Sequence, residues 1–147
     1  MNMLGHNHGS IVTGLAAIDR QHLKYFKLVD RIMQDLAQNL PAGKWFRALN
    51  AHVITHLQSE ERLMLQAGYP RAAIQAHRQQ HLWFRQQLNI LMHRASTLKN
   101  IRHSDLFDKT SELLIVWTAG HIRQQDHTVG RKLSAASRSQ RENCLSH

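Results

Sequence analysis

Along four stretches of the chain, apolar positions recur at alternating steps of three and four. From Asp19 to Asn39 the stripe is Phe26, Val29, Met33 and Leu36, which is one face of an α-helix. Pro41 and Gly43 are expected to break it. A second helix is predicted from about Lys44 to Ala67, with Leu49, Val53, Leu63 and Met64 inward. Gly68-Tyr69-Pro70 ends it, the glycine suiting a C-terminal cap and the proline barring continuation. A third helix runs from Arg71 to near Ser96 on Ile74, Phe84, Leu88 and Leu91. The fourth takes Ser104 as its N-cap and carries Phe107, Leu114 and Trp117 inward. Asp105 and Asp108 suit its positive end. Short connections make neighbours antiparallel, so the pattern predicts an all-α, antiparallel up-down-up-down four-helix bundle over residues 1–133. Residues 134–147 are polar, serine-rich and basic, and are expected to form a flexible tail.

Each stripe also carries residues that a core does not want. His22 lies four before Phe26. His56 follows Val53 by three, Glu60 follows His56 by four, and Met64 follows Glu60 by four. The third stripe reads Ile74, His77, His81, Phe84, and His121 follows Trp117 by four. An unpaired carboxylate in a core costs several kcal/mol even after relaxation. A bound cation removes that cost and uses the imidazoles as well. One H-x-x-x-H is weak evidence, since about one such pair is expected by chance in a chain this rich in histidine. The conjunction is stronger: D-x-x-H at Asp19–His22, H-x-x-x-E-E at His56–Glu61, H-x-x-x-H at His77–His81 and H-x-x-x-x-D at His121–Asp126, one per helix.

Geometry sorts the neighbours of these residues. Glu60 lies about 40° around the helix from His56 and Glu61 about 140°, so Glu60 is the candidate ligand. Asp126, at i+5 from His121, does not suit an α-helix. Either a π-bulge, often found at functional sites, or a different angle of approach is needed. His52 pairs with His56 at i−4 but sits a layer away from Glu60, and is read as packing or solvated. Asp19 is read as a helix cap, with a hydrogen bond to a ligand as the alternative.

Composition narrows the class. The chain has 147 residues, two prolines, seven glycines and twelve histidines, and a formal charge of +9. That length suits one domain with a real core. There is no internal repeat, no apolar run long enough for a membrane helix and no secretion signal at Met1–Ser10. The single cysteine, Cys144, cannot form an internal disulfide, which with the rest points to the cytoplasm. The charge admits an acidic protein partner or an anionic membrane surface, with Arg71, Arg78 and Arg85 at heptad spacing on the outer face of the third helix. That spacing is also what a solvated bundle face looks like. Nucleic acid is not expected: no binding motif accompanies the charge, and aromatics are only 6%.

The four motifs resemble the hemerythrin family, specifically its single-domain bacterial branch, from about Ile18 to Asp126. Further matches are I-D-x-Q-H at Ile18–His22, E-E-R-L-M followed by G-Y-P, and W-x-x-x-H-I at Trp117–Ile122. The N/O donor set alone suits iron, zinc, copper or manganese. The resemblance implies two iron ions, with His77, His81 and His121 on one, His22 and His56 on the other, and Glu60 and Asp126 bridging. It further implies reversible binding of molecular oxygen, so no enzyme activity is expected, and nothing in the sequence demands more than a monomer. Trp117 and Ile122 are implied as walls of the oxygen pocket. Leu57 stands where the family usually has phenylalanine, and no tryptophan precedes Trp45 where the family often carries one. Both departures are expected to enlarge or wet the pocket and to speed autoxidation.

Other chemistries fit less well. Ferritin-like di-iron bundles use E-x-x-H from two helices, and this chain has no E-x-x-H. A hydrolytic zinc site wants three ligands, water and a base; H-E-x-x-H is absent and seven ligands are too many. An oxygen or nitric oxide sensor, or an iron-related redox protein on the same fold, is the alternative reading.

Overall fold

The structure, a computed structural model, describes residues 12–97 and 103–145. Helix α1 spans Ala16–Ala37, α2 Gly43–Gln66, α3 Arg71–Thr97 and α4 His103–Trp117. A π-helix, Thr118–Asp126, continues α4 and passes without a break into α5, His127–Leu145. Thus Gly43 opens the second helix instead of closing the first.

The turns end α1 and α2 by one device. Gly68 has φ +70°, with its N–H bonded to the Leu65 carbonyl and the Tyr69 N–H to that of Met64. Asn39 repeats this at φ 57°, with its N–H on Leu36 and the Leu40 N–H on Asp35. These are Schellman closures, satisfying carbonyls that the last helical turn leaves open. Glycine adopts the left-handed region without penalty and asparagine tolerates it.

Contacts across the seams give the helix directions. Gln21 meets Ser59 while Asp35 meets Trp45, so α1 and α2 run oppositely. Asn50 meets Asn89 and Glu61 meets Arg78, so α2 and α3 do too. Phe84 stacks on Trp117 and His77 approaches Asp126, and on the other side Tyr25 meets Thr118 and His22 meets Asp126. The last helical run is therefore antiparallel to both α3 and α1, which closes the up-down-up-down bundle.

Two apolar clusters hold it. The larger gathers residues such as Phe26, Ile32, Phe46, Leu49, Phe84, Leu88 and Leu114. The smaller is Met64, Ile74, Val129 and Leu133, with Leu15, Leu63 and Tyr69 against it. On α2, Val53 belongs to one and Met64 to the other; on α3, Phe84 and Ile74 divide likewise. The histidine–carboxylate residues occupy the layer between.

The tail expected from Ser134 is instead helical to Leu145. Nothing in it breaks a helix, since Gly and Pro are absent after Gly130. Leu133 anchors its start in the smaller core, and the Ser134 hydroxyl donates to the Thr13 carbonyl at 3.4 Å. Among the described residues no helix is long and apolar enough to cross a membrane.

Candidate metal centre

Five imidazoles and two carboxylates converge in the layer between the clusters. His22 comes from α1, His56 and Glu60 from α2, His77 and His81 from α3, and His121 and Asp126 from the π-helix. Every one is buried, at 6% exposure or less. All five histidines aim Nε2 inward. They form two groups whose ligand atoms lie within 4.8 Å of one another: Glu60, His77, His81, His121 and Asp126; and His22, His56, Glu60 and Asp126. The two carboxylates belong to both.

Asp126 divides its oxygens between the groups. Oδ1 is 3.0 Å from His121 Nε2 and 3.4 Å from His77 Nε2. Oδ2 is 3.1 Å from the Nε2 atoms of both His22 and His56. Glu60 Oε2 has Nε2 atoms of His56, His77 and His81 at 3.3, 3.3 and 3.5 Å, yet accepts no hydrogen bond.

The local fold explains why these atoms meet. His56–Glu60 and His77–His81 are i,i+4 pairs on one α-helical face. His121 and Asp126 are five apart and sit on the π-helix, whose i→i+5 bonding brings such residues together. Of the two possibilities in the sequence, the π form is the one observed, extended over nine residues.

Outer hydrogen bonds set the proton positions. The Ser59 hydroxyl donates to the Thr55 carbonyl at 2.9 Å and so accepts from Gln21 Nε2, also at 2.9 Å. Gln21 Oε1 then accepts from His56 Nδ1–H at 2.8 Å. A neutral His56 consequently presents a bare lone pair at Nε2. Gln80 Oε1 likewise takes His121 Nδ1–H at 2.8 Å, leaving His121 Nε2 2.7 Å from His81 Nε2.

Electrostatics agree with that assignment. Burial pushes His56, His81 and His121 below the usual imidazole range, so they are held neutral. Burial and the neighbouring Asp126 raise Glu60 well above an ordinary carboxylic acid. Burial would raise Asp126 too, but the imidazoles of His121, His22, His56 and His77 crowded round its two oxygens hold it well below the usual carboxylate range. Neutral lone pairs facing carboxylate oxygens, with Glu60 Oε2 orphaned, fit a bound cation that supplies the missing positive charge.

Comparison with known families points the same way, to a cation site. The model of the hemerythrin HHE cation binding domain matches residues 13–133. The chain belongs to the hemerythrin family. Among curated hemerythrin relatives, a bacteriohemerythrin of Stenotrophomonas maltophilia (strain R551-3) is 27% identical over 124 residues, covering 83% of this chain and 76% of that protein. No solved structure matches.

All seven candidate ligands read from the sequence come together in this buried cluster. Glu60 is inside, whereas Glu61 lies outside and pairs with Arg78 at 2.5 and 2.7 Å. Trp117 stacks on His121 with ring centroids 3.9 Å apart and presents its face to Phe84 at 4.2 Å. Its ring meets that of His81 edge-on at 5.2 Å. Ile122 and Leu57 are buried. His52 is also buried, stacked 6.3 Å from the His56 ring, and belongs to neither ligand group. Asp19 is not a cap: its Oδ1 accepts from the Thr13 N–H and hydroxyl, both at 2.7 Å. Of the heptad arginines, Arg78 pairs with Glu61 and Arg85 donates to Asn50 at 3.0 Å, so both are tied to α2.

Gln21 and Gln80 were not among the sequence candidates. A signal for them exists: each immediately precedes a ligand, in Gln21-His22-Leu23 and Gln80-His81-Leu82, and each clamps a ligand of the neighbouring helical segment.

Proposed function

We propose that the chain binds two iron ions in this site and carries molecular oxygen reversibly. The observation that supports it most is the division of Asp126, Oδ1 toward His77 and His121 and Oδ2 toward His22 and His56. A carboxylate so placed suits two cations side by side, one per oxygen. Glu60 stands between the same two groups. Family membership favours iron among the metals that an N/O donor set accepts.

His77, His81 and His121 would hold one ion and His22 and His56 the other. The second set is one imidazole short, which leaves room for a small ligand, as open metal sites do. Bound iron supplies a reversible donor of two electrons with an open position. The protein's part is to keep His56, His81 and His121 neutral, to aim all five imidazoles, and to exclude water. Gln21 and Gln80 fix two ring tautomers, and Trp117, backed by Phe84, presents apolar surface to His81 and His121. Such a site releases its ligand unchanged, so the reading is of a carrier and not an enzyme. A cytoplasmic monomer suffices for it.

The test is an optical spectrum of the aerobic protein, taken together with metal analysis, before and after removal of oxygen under vacuum. Two irons per chain with bands that vanish and return on readmission support the carrier. Two irons with bands that never bleach would replace it with a sensing or redox role. Another metal would overturn the oxygen assignment.

A further inference from the structure

The seam between α3 and α4 has a composition that the metal centre does not use. Two cavities, of about 490 and 460 Å³, lie along it and share Trp83 and Val116. The first is walled by Ile90, Leu91 and Leu113. Trp83, Ile90 and Val116 are 46%, 47% and 55% exposed. Contiguous apolar surface of this kind marks a binding groove.

Charge is confined to one end. Arg94, Lys109 and Glu112 line the first cavity. Neither Arg94 nor Lys109 is in an ion pair among the described residues. The second cavity carries no charged side chain, only the amides of Gln79, Gln80 and Gln125 beside Trp117 and His121. Gly120 keeps its floor open, since an added Cβ would meet no atom within 4 Å. From Arg94 to Gln80 the trough runs roughly 21 Å at 1.5 Å per residue.

We propose that this trough binds a free long-chain monocarboxylate, with its head between Arg94 and Lys109 and its unbranched tail along Ile90, Trp83 and Val116 toward Gly120. Two cations and one acid leave a surplus of one positive charge, which a monoanion neutralises. A polyanion would lack partners, and a neutral chain would leave both cations unused. A charged end followed by an uncharged, largely apolar run suits one amphiphilic acid. The tail would end over the His121 side of the metal layer.

The experiment is calorimetric titration of the full-length protein with dodecanoate below its micelle concentration, set against dodecanol and octanoate. One saturable site is expected, with dodecanol at least tenfold weaker. The paired exchange Arg94→Gln with Lys109→Gln should bring dodecanoate down to the dodecanol level. Gly120→Leu should weaken dodecanoate at least tenfold and leave octanoate unchanged, because only the longer tail reaches the filled floor. All these positions lie on the groove rather than in a packed core, and circular dichroism verifies the fold of each variant. Absence of saturation, equal binding of acid and alcohol, or indifference to the substitutions overturns the proposal. So does a response confined to phosphatidylglycerol vesicles, which would assign the patch to a membrane surface. The readout is binding alone and stands apart from the oxygen assignment.

Discussion

His121 and Asp126 are five residues apart in the chain, yet His121 Nε2 and Asp126 Oδ1 are 3.0 Å apart. On an α-helix they would point about 140° away from each other. The π-helix turns two misaligned residues into neighbours, and Asp126 then reaches all of His22, His56, His77 and His121.

Glu60→Gln should have opposite effects on the two forms of the protein. In the metal-free chain the buried Glu60 carboxylate is held far above its usual pKa and one oxygen has no donor. Replacing it by an amide removes the cost of holding an ionisable carboxyl protonated near neutral pH, and should raise metal-free stability by about 1–3 kcal/mol there. With metal bound, the same change removes a shared ligand, and metal content and melting temperature should both fall. Thermal unfolding with and without a chelator, beside metal analysis, reads both signs; a fall in both forms would show Glu60 to be structural.

Gln21→Met and Gln80→Met preserve side-chain length but remove the acceptor for His56 or His121 Nδ1–H. Loss of such an outer partner typically lowers metal affinity about 10–100-fold. Competition with a chelator measures it. Gln21→Glu and Gln80→Glu restore an acceptor and should recover most of the loss.

Acid should destabilise the metal-free protein. His56, His81 and His121 are depressed by burial, and burial and the nearby His56 depress His52 to about 4. In the unfolded chain these rings protonate near 6.5. Below that value the unfolded state binds more protons than the folded one, so stability falls as pH drops from about 6.5 toward 4. Glu60 acts oppositely, since its raised pKa takes stability away as pH rises above about 4.5. Denaturant midpoints across pH 4–8 should therefore pass through a maximum. Substituting Glu60 with Gln should flatten the alkaline side only.

Leu57→Phe refills the position next to His56 with a larger apolar side chain. On the proposed oxygen-binding reading, a drier pocket in the variant should lengthen the life of the oxygenated form, by several-fold in stopped-flow decay. An unchanged lifetime would place the autoxidation route elsewhere.

Gly130 and Gly120 make a matched pair. A Cβ at Gly130 would overlap the Thr13 side chain, whereas one at Gly120 meets open space. Gly130→Ala should cost about 1–3 kcal/mol through overpacking, less the ~1 kcal/mol of helix propensity that alanine brings. Gly120→Ala should be neutral or stabilising by up to about 1 kcal/mol. Denaturant midpoints of the two variants decide it.

The helices and the clustered candidate ligands were legible because they repeat at helical spacing. Phe26, Val29, Met33 and Leu36 declare the inward face of α1, and His22 lies on its continuation. Glu60 could be told from Glu61 by angle alone. Asp126 was legible only through its motif, since its spacing contradicted the expected helix and left two geometries open. Gln21 and Gln80 escaped because a half-buried amide beside a ligand looks like any polar helix residue until its partner across the seam is known. Asp19 looked like a cap because an acid near a helix start usually is one; its real partner, Thr13, is six residues back. The helix beyond Ser134 escaped because its polar composition carries no stripe past Leu133.

The π-helix also has a genealogical meaning. A nine-residue stretch in i→i+5 register is what an ordinary helix becomes when one residue is added and both ends stay anchored. Here the anchors are Trp117 in one core and Val129 in the other. Deleting a single residue between Ile122 and Gln125 would bring the acid to i+4 and let the whole run relax into an α-helix. Such a chain could fold more tightly than the present one, yet its carboxylate would be turned relative to the histidines of α1, α2 and α3. The capacity to hold metal here would then trace to one extra residue, kept in place by the cores on either side of it.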